Sequence, residues 1–562
     1  MRMKSLLLAL FGALVLSSFS VPAADEDLED MKIRSLLHDR IDAAHKGVGI
    51  VVGINDERGT RIISHGALNK AGGRPVDGDT IFEIGSVSKV FTASLLAEMV
   101  CHGEVKLDDP VSKFLPKSVK MPGRNGKEIT LLDLATQSSG LPRMPDNFTQ
   151  ADLKNPYADY SVQQMYDFLS SHTLARDIGE KYEYSNLGVG LLGHILALKA
   201  GTNYESLVLD RICRPLRMTN TFITLSPALK DRLATGHSEG GRPVPNWDII
   251  TFAGAGGLRS TANDLLKFVS ANMGVTQSPL SSAFELAQKP LRGAGGPNVK
   301  IGLCWHITTR HGSELVWHNG ATGGYHSFIG FERKTGRGIV ILANSANSID
   351  DIGFHLLNAK FPLADVPVGK HTEAVSLPPA TLERYVGRYE LRPGIFFDAR
   401  RESDYLQVRL TGQSYLDLFP ENETNFFYEV VDAQITFNKD DQGHVSSLVL
   451  HQNGVDQTAK KISNETPKER ATIKLEPKVL DGYAGKYQLT PQAIFTIKHS
   501  GGRLMAQLTG QSFLEVFPES ETNFFYKVVD AQLTFVTNDK GEVTSLILHQ
   551  NGFDQKAKKL KE

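Results

Sequence analysis

Apolar positions along the chain follow two spacings. Short unbroken runs, GVGIVVGIND from Gly47 and GRGIVILANS from Gly336, sit between turn-forming residues and predict strands. LLGHILALKAG from Leu191, TANDLLKFVS from Thr261 and EIGSVSKVFTASLLAEMV from Glu83 repeat near 3.6 residues and predict helices. From about residue 380 the pattern changes to short alternating stretches between Gly, Asn and Asp, which predict antiparallel strands.

That second region repeats itself. TGQSYLDLFPENETNFFYEVVDAQITF from Thr411 returns as TGQSFLEVFPESETNFFYKVVDAQLTF from Thr509. YVGRYEL at Tyr385 and YAGKYQL at Tyr483 keep the same spacing, as do the two HQNG strings at His451 and His549. A period this long marks a duplicated domain rather than a solenoid, and each copy is sized for a small β-barrel or sandwich. Pro-rich and polar stretches separate the units. The predicted division is 25–362 for a mixed body, 363–380 linker, 381–463 first repeat, 464–478 linker and 479–562 second repeat. The fold class is α+β: an antiparallel sheet covered by helices, followed by two all-β units.

Composition narrows the function classes. At 562 residues with 41% hydrophobic content the chain is ordinary globular protein in several domains. A net charge of -2 without a basic stripe argues against nucleic-acid binding. The basic run KAKKLKE at the end reads as a solvated tail. Arg2 and Lys4 precede the apolar run LLLALFGALVLSSF and then VPAAD, the layout of a secretory signal at 1–24 cleaved near Ala23 or Ala24. This predicts a periplasmic or secreted protein without stable membrane insertion, an uncleaved anchor being the alternative. Cys101, Cys213 and Cys304 lack metal-ligand spacing, and the histidines form no metal cluster, so neither metal nor cofactor is expected.

Three short strings carry candidate chemistry. Ser86 and Lys89 stand one helical turn apart and so share a face. Tyr184 and Asn186 precede the 191–201 helix, and His318, Asn319 and Gly320 lie on an expected strand. FAGAGG, from Phe252, reads as a glycine-dense loop. Each has a plain reading: a capping serine with a surface lysine, a helix cap, a half-buried strand histidine, a turn. Their joint occurrence within one body favours chemistry, because a nucleophilic serine needs a base, oxyanion donors and a proton donor for the leaving group.

These strings and their order resemble the penicillin-recognising serine hydrolases, in the class C β-lactamase and D-alanyl-D-alanine carboxypeptidase branch. LDDPVSKFLP, LLDLATQSSGLP and RICRPLRMTNTFI extend the likeness over about residues 30–360. The resemblance implies a sheet flanked by helices with a helical subdomain, and tails like the small β-barrels found after some hydrolases of this family. It makes Ser86 the nucleophile, Lys89 its base and Tyr184 the proton shuttle. Asn186 would bind the substrate's amide side chain. The oxyanion would sit between the N–H groups of Ser86 and of Ala321, just after Gly320. An enclosed lysine can lose about two to four pKa units and act as a base near neutrality.

The β-lactamases of this branch usually carry Lys-Thr-Gly where this chain has His318-Asn319-Gly320, and a histidine is only partly protonated near pH 7. Gln137 stands where relatives commonly have histidine, in a segment read as structural. The implied activity is cleavage of a β-lactam or D-alanyl amide through acyl-Ser86, on a small-molecule or short-peptide substrate, with peptidoglycan as a candidate partner. A carboxylic esterase or D-aminopeptidase is the alternative on the same machinery. A non-catalytic binder of cell-wall peptide is the reading from another class, and a lost Ser86, Lys89 or Tyr184 would have favoured it.

Overall fold

A computed structural model gives the fold. It describes residues 27–560 except 71–72, 149–151, 153, 366–373, 403–404, 414, 429–432, 453–454, 468–469, 471, 474, 501–502, 512, 527–528 and 551–552. The expected leader at 1–24 lies outside the described residues.

The body is built on one antiparallel sheet. Its strands are β1 (Gly49–Asp56), β2 (Gly59–Gly66), β3 (Arg292–Gly296), β4 (Val299–Ile301), β5 (His306–Arg310), β6 (Ser313–Ala321), β7 (His326–Glu332) and β8 (Arg337–Ala343), in the order β2-β1-β8-β7-β6-β5-β4-β3. The two apolar runs from Gly47 and Gly336 thus become neighbours, with Ile50 opposite Ala343. The helices of the body include α1 (Leu28–His38), α2 (Ser88–Cys101), α3 (Asn186–Ala200), α4 (Ala253–Gly256), α5 (Ala262–Met273) and α6 (Asp350–Leu357). Val51, Val340 and Leu342 join the core shared with α2, α3 and α5. Ile50, Val52, Ile54, Ile339 and Ile341 pack with α1 and α6 on the other face. Burial on both faces is why β1 and β8 read as unbroken apolar runs instead of alternating ones.

Two helical stretches of the body differ from expectation. The 83–100 segment is a 3-10 turn, Gly85–Val87, feeding α2, and α2 is buried on every side from Ser88 to Met99 instead of along one stripe. Other helices enclose it, among them Ser281–Ala287, α4 and α3, so no face between Ser88 and Met99 meets water. FAGAGG is not a loop: its centre forms the single-turn helix α4. Gly193 and Gly254 allow this, because a Cβ on either would stand about 3 Å from the other's Cα, and α4 lies directly on α3.

Each repeat closes into an eight-stranded antiparallel barrel, over Gly387–Ser463 and over Gly485–Lys559. Tyr385, Tyr389, Phe397, Phe426 and Phe437 fill the first core, and Tyr483, Tyr487, Phe495, Phe524 and Phe535 the second. The short helices Pro379–Glu383 and Pro477–Tyr483 contribute Leu382 and Leu480 to the same cores. The basic C-terminal run is not a loose tail: Phe553–Lys559 is the last strand, with Ala557 inside and Lys556 and Lys558 outside.

Candidate active site

Ser86 owes its position to two glycines. Gly85 adopts φ 47, a conformation that favours glycine, and a Cβ there would meet Ala321 N at 2.9 Å and its O at 2.7 Å. A Cβ on Gly320 would stand 2.1 Å from Ile84 O and 2.9 Å from Ser86 N. The turn carrying Ser86 therefore lies against the end of β6, and Ser327 Oγ fastens it by donating to Ile84 O at 2.8 Å. This close approach brings the Ser86 and Ala321 amides together, the pair that the sequence proposes for an oxyanion.

Lys89 is fully buried in the first turn of α2. Its Nζ donates to Ser86 Oγ at 2.9 Å, Asn186 Oδ1 at 2.9 Å and Ala255 O at 2.6 Å. All three acceptors are uncharged, so desolvation is not offset by a counter-ion. Burial, helped by the Arg143 charge, lowers its pKa from 10.5 to about 7. Ala255 belongs to α4, which is the structural purpose of the glycine-rich string: it carries a main-chain carbonyl to the lysine. Sequence reasoning missed this acceptor, since a backbone carbonyl leaves no side-chain signature.

Tyr184 stands beside the Ser86 side chain, and Lys89 Nζ lies 4.8 Å from its ring centroid. Its ring is half-exposed, but protein crowds the hydroxyl, and the resulting desolvation pushes its pKa up. Tyr184 is therefore a neutral proton carrier at rest. Gln137 holds this segment in place: buried and at φ 55, it accepts from Ser185 N at 2.8 Å through its side chain and from Glu183 N at 2.7 Å through its carbonyl. Ser185 caps α3 by accepting from Gly188 N, which places Asn186 in the first helical turn beside Lys89.

His318 departs from the expected partly protonated residue. It is 1% exposed, with Nδ1 2.6 Å from Asn319 O. Since a carbonyl only accepts, Nδ1 carries the proton and Nε2 is an acceptor. Burial, then the neighbouring His306 and Lys89, push its pKa well below 6.5, so the imidazole is neutral near pH 7. His306, its ring 5.1 Å away, is held by Tyr182 at 3.0 Å and lowered to about 4 by burial. The exposed cation nearby is instead Arg143, 5.0 Å from the Tyr184 ring.

A small pocket opens onto Ser86, lined by Tyr157, Asn186, Trp247, Phe252 and Ala321 among others. Tyr157 and Asn186 stand side by side in its wall. Trp247 is fixed through its main chain, its amide N–H donating to Glu83 Oε1 at 3.0 Å while its carbonyl accepts from Arg259 at 3.1 Å. Neither aromatic lies in a recognisable string, so only the fold brings them to the site.

Residues 34–358 match the family model described as Beta-lactamase. The chain belongs to that family. Residues 371–465 and 469–561 each match a model described as a Domain of unknown function (DUF3471). Over 376 residues the chain is 28% identical to a β-lactamase of Escherichia coli K12, covering 61% of this chain and 94% of that one. It is 34% identical over 191 residues to a D-alanyl-D-alanine-carboxypeptidase/endopeptidase, AmpH, of the same organism, covering 34% of this chain and 48% of AmpH. Among solved structures it is similar to a D-alanine carboxypeptidase, AmpC, from Burkholderia cenocepacia, at 26% identity and TM-score 0.51, over 59% of this chain and 99% of that one. A β-lactamase/D-alanine carboxypeptidase from Yersinia pestis gives TM-score 0.53 at 23% identity, over 60% and 99%, which speaks to the fold. The body of this β-lactamase family member is thus that of a serine hydrolase of the β-lactamase and D-alanyl-D-alanine carboxypeptidase type.

Proposed function

We propose that Ser86 is the nucleophile, that Lys89 takes its proton, and that Tyr184 relays a proton to the leaving group. One observation carries this reading: a buried Lys89 amine with a pKa near 7 hydrogen-bonded to Ser86 Oγ at 2.9 Å. Near neutrality about half of the amine is unprotonated and can accept the serine proton as Oγ attacks an acyl carbon. The oxyanion is stabilised by the Ser86 and Ala321 N–H groups, at about 3 kcal/mol each. The raised pKa of Tyr184 keeps its proton available for the leaving nitrogen or oxygen, and the vacated tyrosine then takes a proton from the deacylating water. Asn186 holds Lys89 with its carbonyl and meets Tyr157 at the edge where a substrate amide would lie.

The substrate class we favour is a β-lactam or D-alanyl amide or peptide, with peptidoglycan fragments as the natural source. Arg143, exposed beside Tyr184, supplies the permanent positive charge that such carboxylate-bearing substrates need and that a neutral His318 does not. The same neutrality favours a second reading, an esterase or D-aminopeptidase, because a neutral His318 makes no demand for a substrate carboxylate. Export to the periplasm or medium rests on residues 1–24. The division at 25–362, 381–463 and 479–562 is part of the same proposal.

The test compares turnover of a chromogenic cephalosporin, a D-Ala-D-Ala peptide, a D-alanyl anilide and a short-chain nitrophenyl ester. A fluorophosphonate or penicillin should add its mass to the peptide containing Ser86 and leave Ser86→Ala unlabelled. Labelling at another residue would overturn the mechanism.

A further inference from the structure

The two barrels differ at one place where the hydrolase body touches the first of them. Arg242 of the body sits with its guanidinium carbon 3.1 Å from the Tyr405 ring centroid and 4.8 Å from that of Phe419, and its Nε is 3.2 Å from Asp417 Oδ2. Asp417 is held from within the barrel, its Oδ1 accepting from Gln407 at 2.7 Å. A guanidinium stacked on aromatic rings and paired with a carboxylate is a directional contact, unlike a loose surface ion pair. Lys154 and Glu402 add a weaker pair, at 3.9 Å.

In the second barrel the corresponding positions, 98 residues on, are Arg503, Glu515 and Phe517. There Arg503 stands where Tyr405 stands and pairs with Glu515 at 3.4 Å. The second barrel thus supplies its own arginine to the acid, whereas the first presents a ring and an acid to an arginine from outside. Glu402 likewise becomes Ser500 in sequence.

On the body side Arg242 precedes Trp247 of the pocket wall by five residues. It lies in a hairpin whose strands, Gly236–His237 and Pro243–Val244, pack on the loop after Ala321. A Cβ on Gly324 would meet Val244 at 2.5 Å, and one on Gly323 would meet the Trp247 indole at 2.8 Å. Lys154 precedes Tyr157 in the pocket wall, and Asn155 ties that segment to Asp248 by two hydrogen bonds of 2.8 Å. Both segments gripped by the first barrel therefore lead directly to the pocket aromatics, Tyr157 and Trp247.

We propose that Arg242 is a clamp by which the first barrel holds the rim of the pocket, so that this barrel positions the walls that select acyl groups for Ser86. The second barrel, its acid already paired internally, is not adapted to that role. The selectivity part rests on the Ser86 reading above; the clamp itself does not.

Tyr405→Arg tests it by giving the first barrel the internal pair of the second, a pairing already compatible with the barrel fold. Arg242→Gln removes the clamp from the body side should the first variant fold poorly, and Arg503→Tyr is the control. Two readouts are taken on the full chain. The distance distribution between dyes on the body and the first barrel should be narrow in the wild type and broaden in both clamp variants. Labelling of Ser86 by a bulky fluorophosphonate should slow or speed by about three- to tenfold in them, the reach of coupling through packed contacts, while labelling by a small one stays unchanged. Arg503→Tyr should match the wild type in both. Unchanged distances would overturn the clamp, and broadened distances with unchanged size selectivity would overturn its effect on the pocket. A shift in Arg503→Tyr would overturn the asymmetry between barrels. Failure of the wild type to label at all would overturn the Ser86 reading and leave the clamp to be decided by the distances.

Discussion

Lys89 keeps its charge poorly because three neutral acceptors replace water around it. The acylation rate should therefore climb as pH rises through about 7, where the amine loses its proton, and then level off. A kcat/KM profile for any turned-over substrate measures this; an inflection near 10 would mean an ordinary surface-like lysine. Lys89→Ala and Tyr184→Phe should each cost at least about a hundredfold in kcat, the scale of general acid–base help. His318 and His306 bear on stability instead. Both are lowered when folded, so the unfolded chain binds more protons below pH 6.5, and stability should fall progressively from pH 6.5 towards pH 4. Thermal midpoints at pH 7.5, 6 and 5 should show that loss, reduced in His318→Asn. Affinity for a cephalosporin should stay flat across pH 6–8 if, as proposed, Arg143 is the cation that meets its carboxylate, and Arg143→Ala should then raise KM by roughly threefold to tenfold.

The element that decides the chemistry is the Gly85–Val87 turn between β6 and α2. A periodic apolar pattern announced the helix, and the i, i+3 spacing put Ser86 next to Lys89, so that pair was legible from local geometry alone. The sharpness of the turn was not, because Gly85 needs its positive φ only on account of Ala321 on a strand more than 200 residues away. Gly85→Ala should cost most of the acylation rate by pushing the Ser86 and Ala321 amides apart, with a smaller loss of thermal stability. Kinetics and melting on one preparation test this; unchanged acylation would mean that the two amides need not approach so closely. The glycines around α4 teach the same lesson: their density marked something unusual, but the carbonyl they deliver to Lys89 depends on how α4 lies on α3.

At the scale of the whole molecule, each barrel buries its own aromatic core, and the two cores repeat position for position. Ending the chain near residue 466 should leave a folded protein with its activity retained, since the clamp lies in the first barrel and not the second. Calorimetry and Ser86 labelling of the shortened chain are the measurements. Aggregation would contradict independent folding of the repeat, and lost labelling with an intact fold would place the second barrel in the site.

The sequence by itself determined what depends on short range. Unbroken apolar runs marked β1 and β8, helical periodicity marked α2, α3 and α5, repetition marked the two barrels, and three short strings marked Ser86, Lys89, Tyr184, Asn186 and the His318–Ala321 strand end. What depends on burial and distant neighbours was decided only by the tertiary structure. His318 looked partly charged and became neutral because β6 lies under the site beside His306 and Lys89. Ala255, Tyr157, Trp247 and Arg242 carried no local sign, since a side chain's or carbonyl's part in a pocket is set by what packs against it. Dielectric environment and long-range contact are properties of the folded chain, and no spacing along the sequence encodes them one residue at a time.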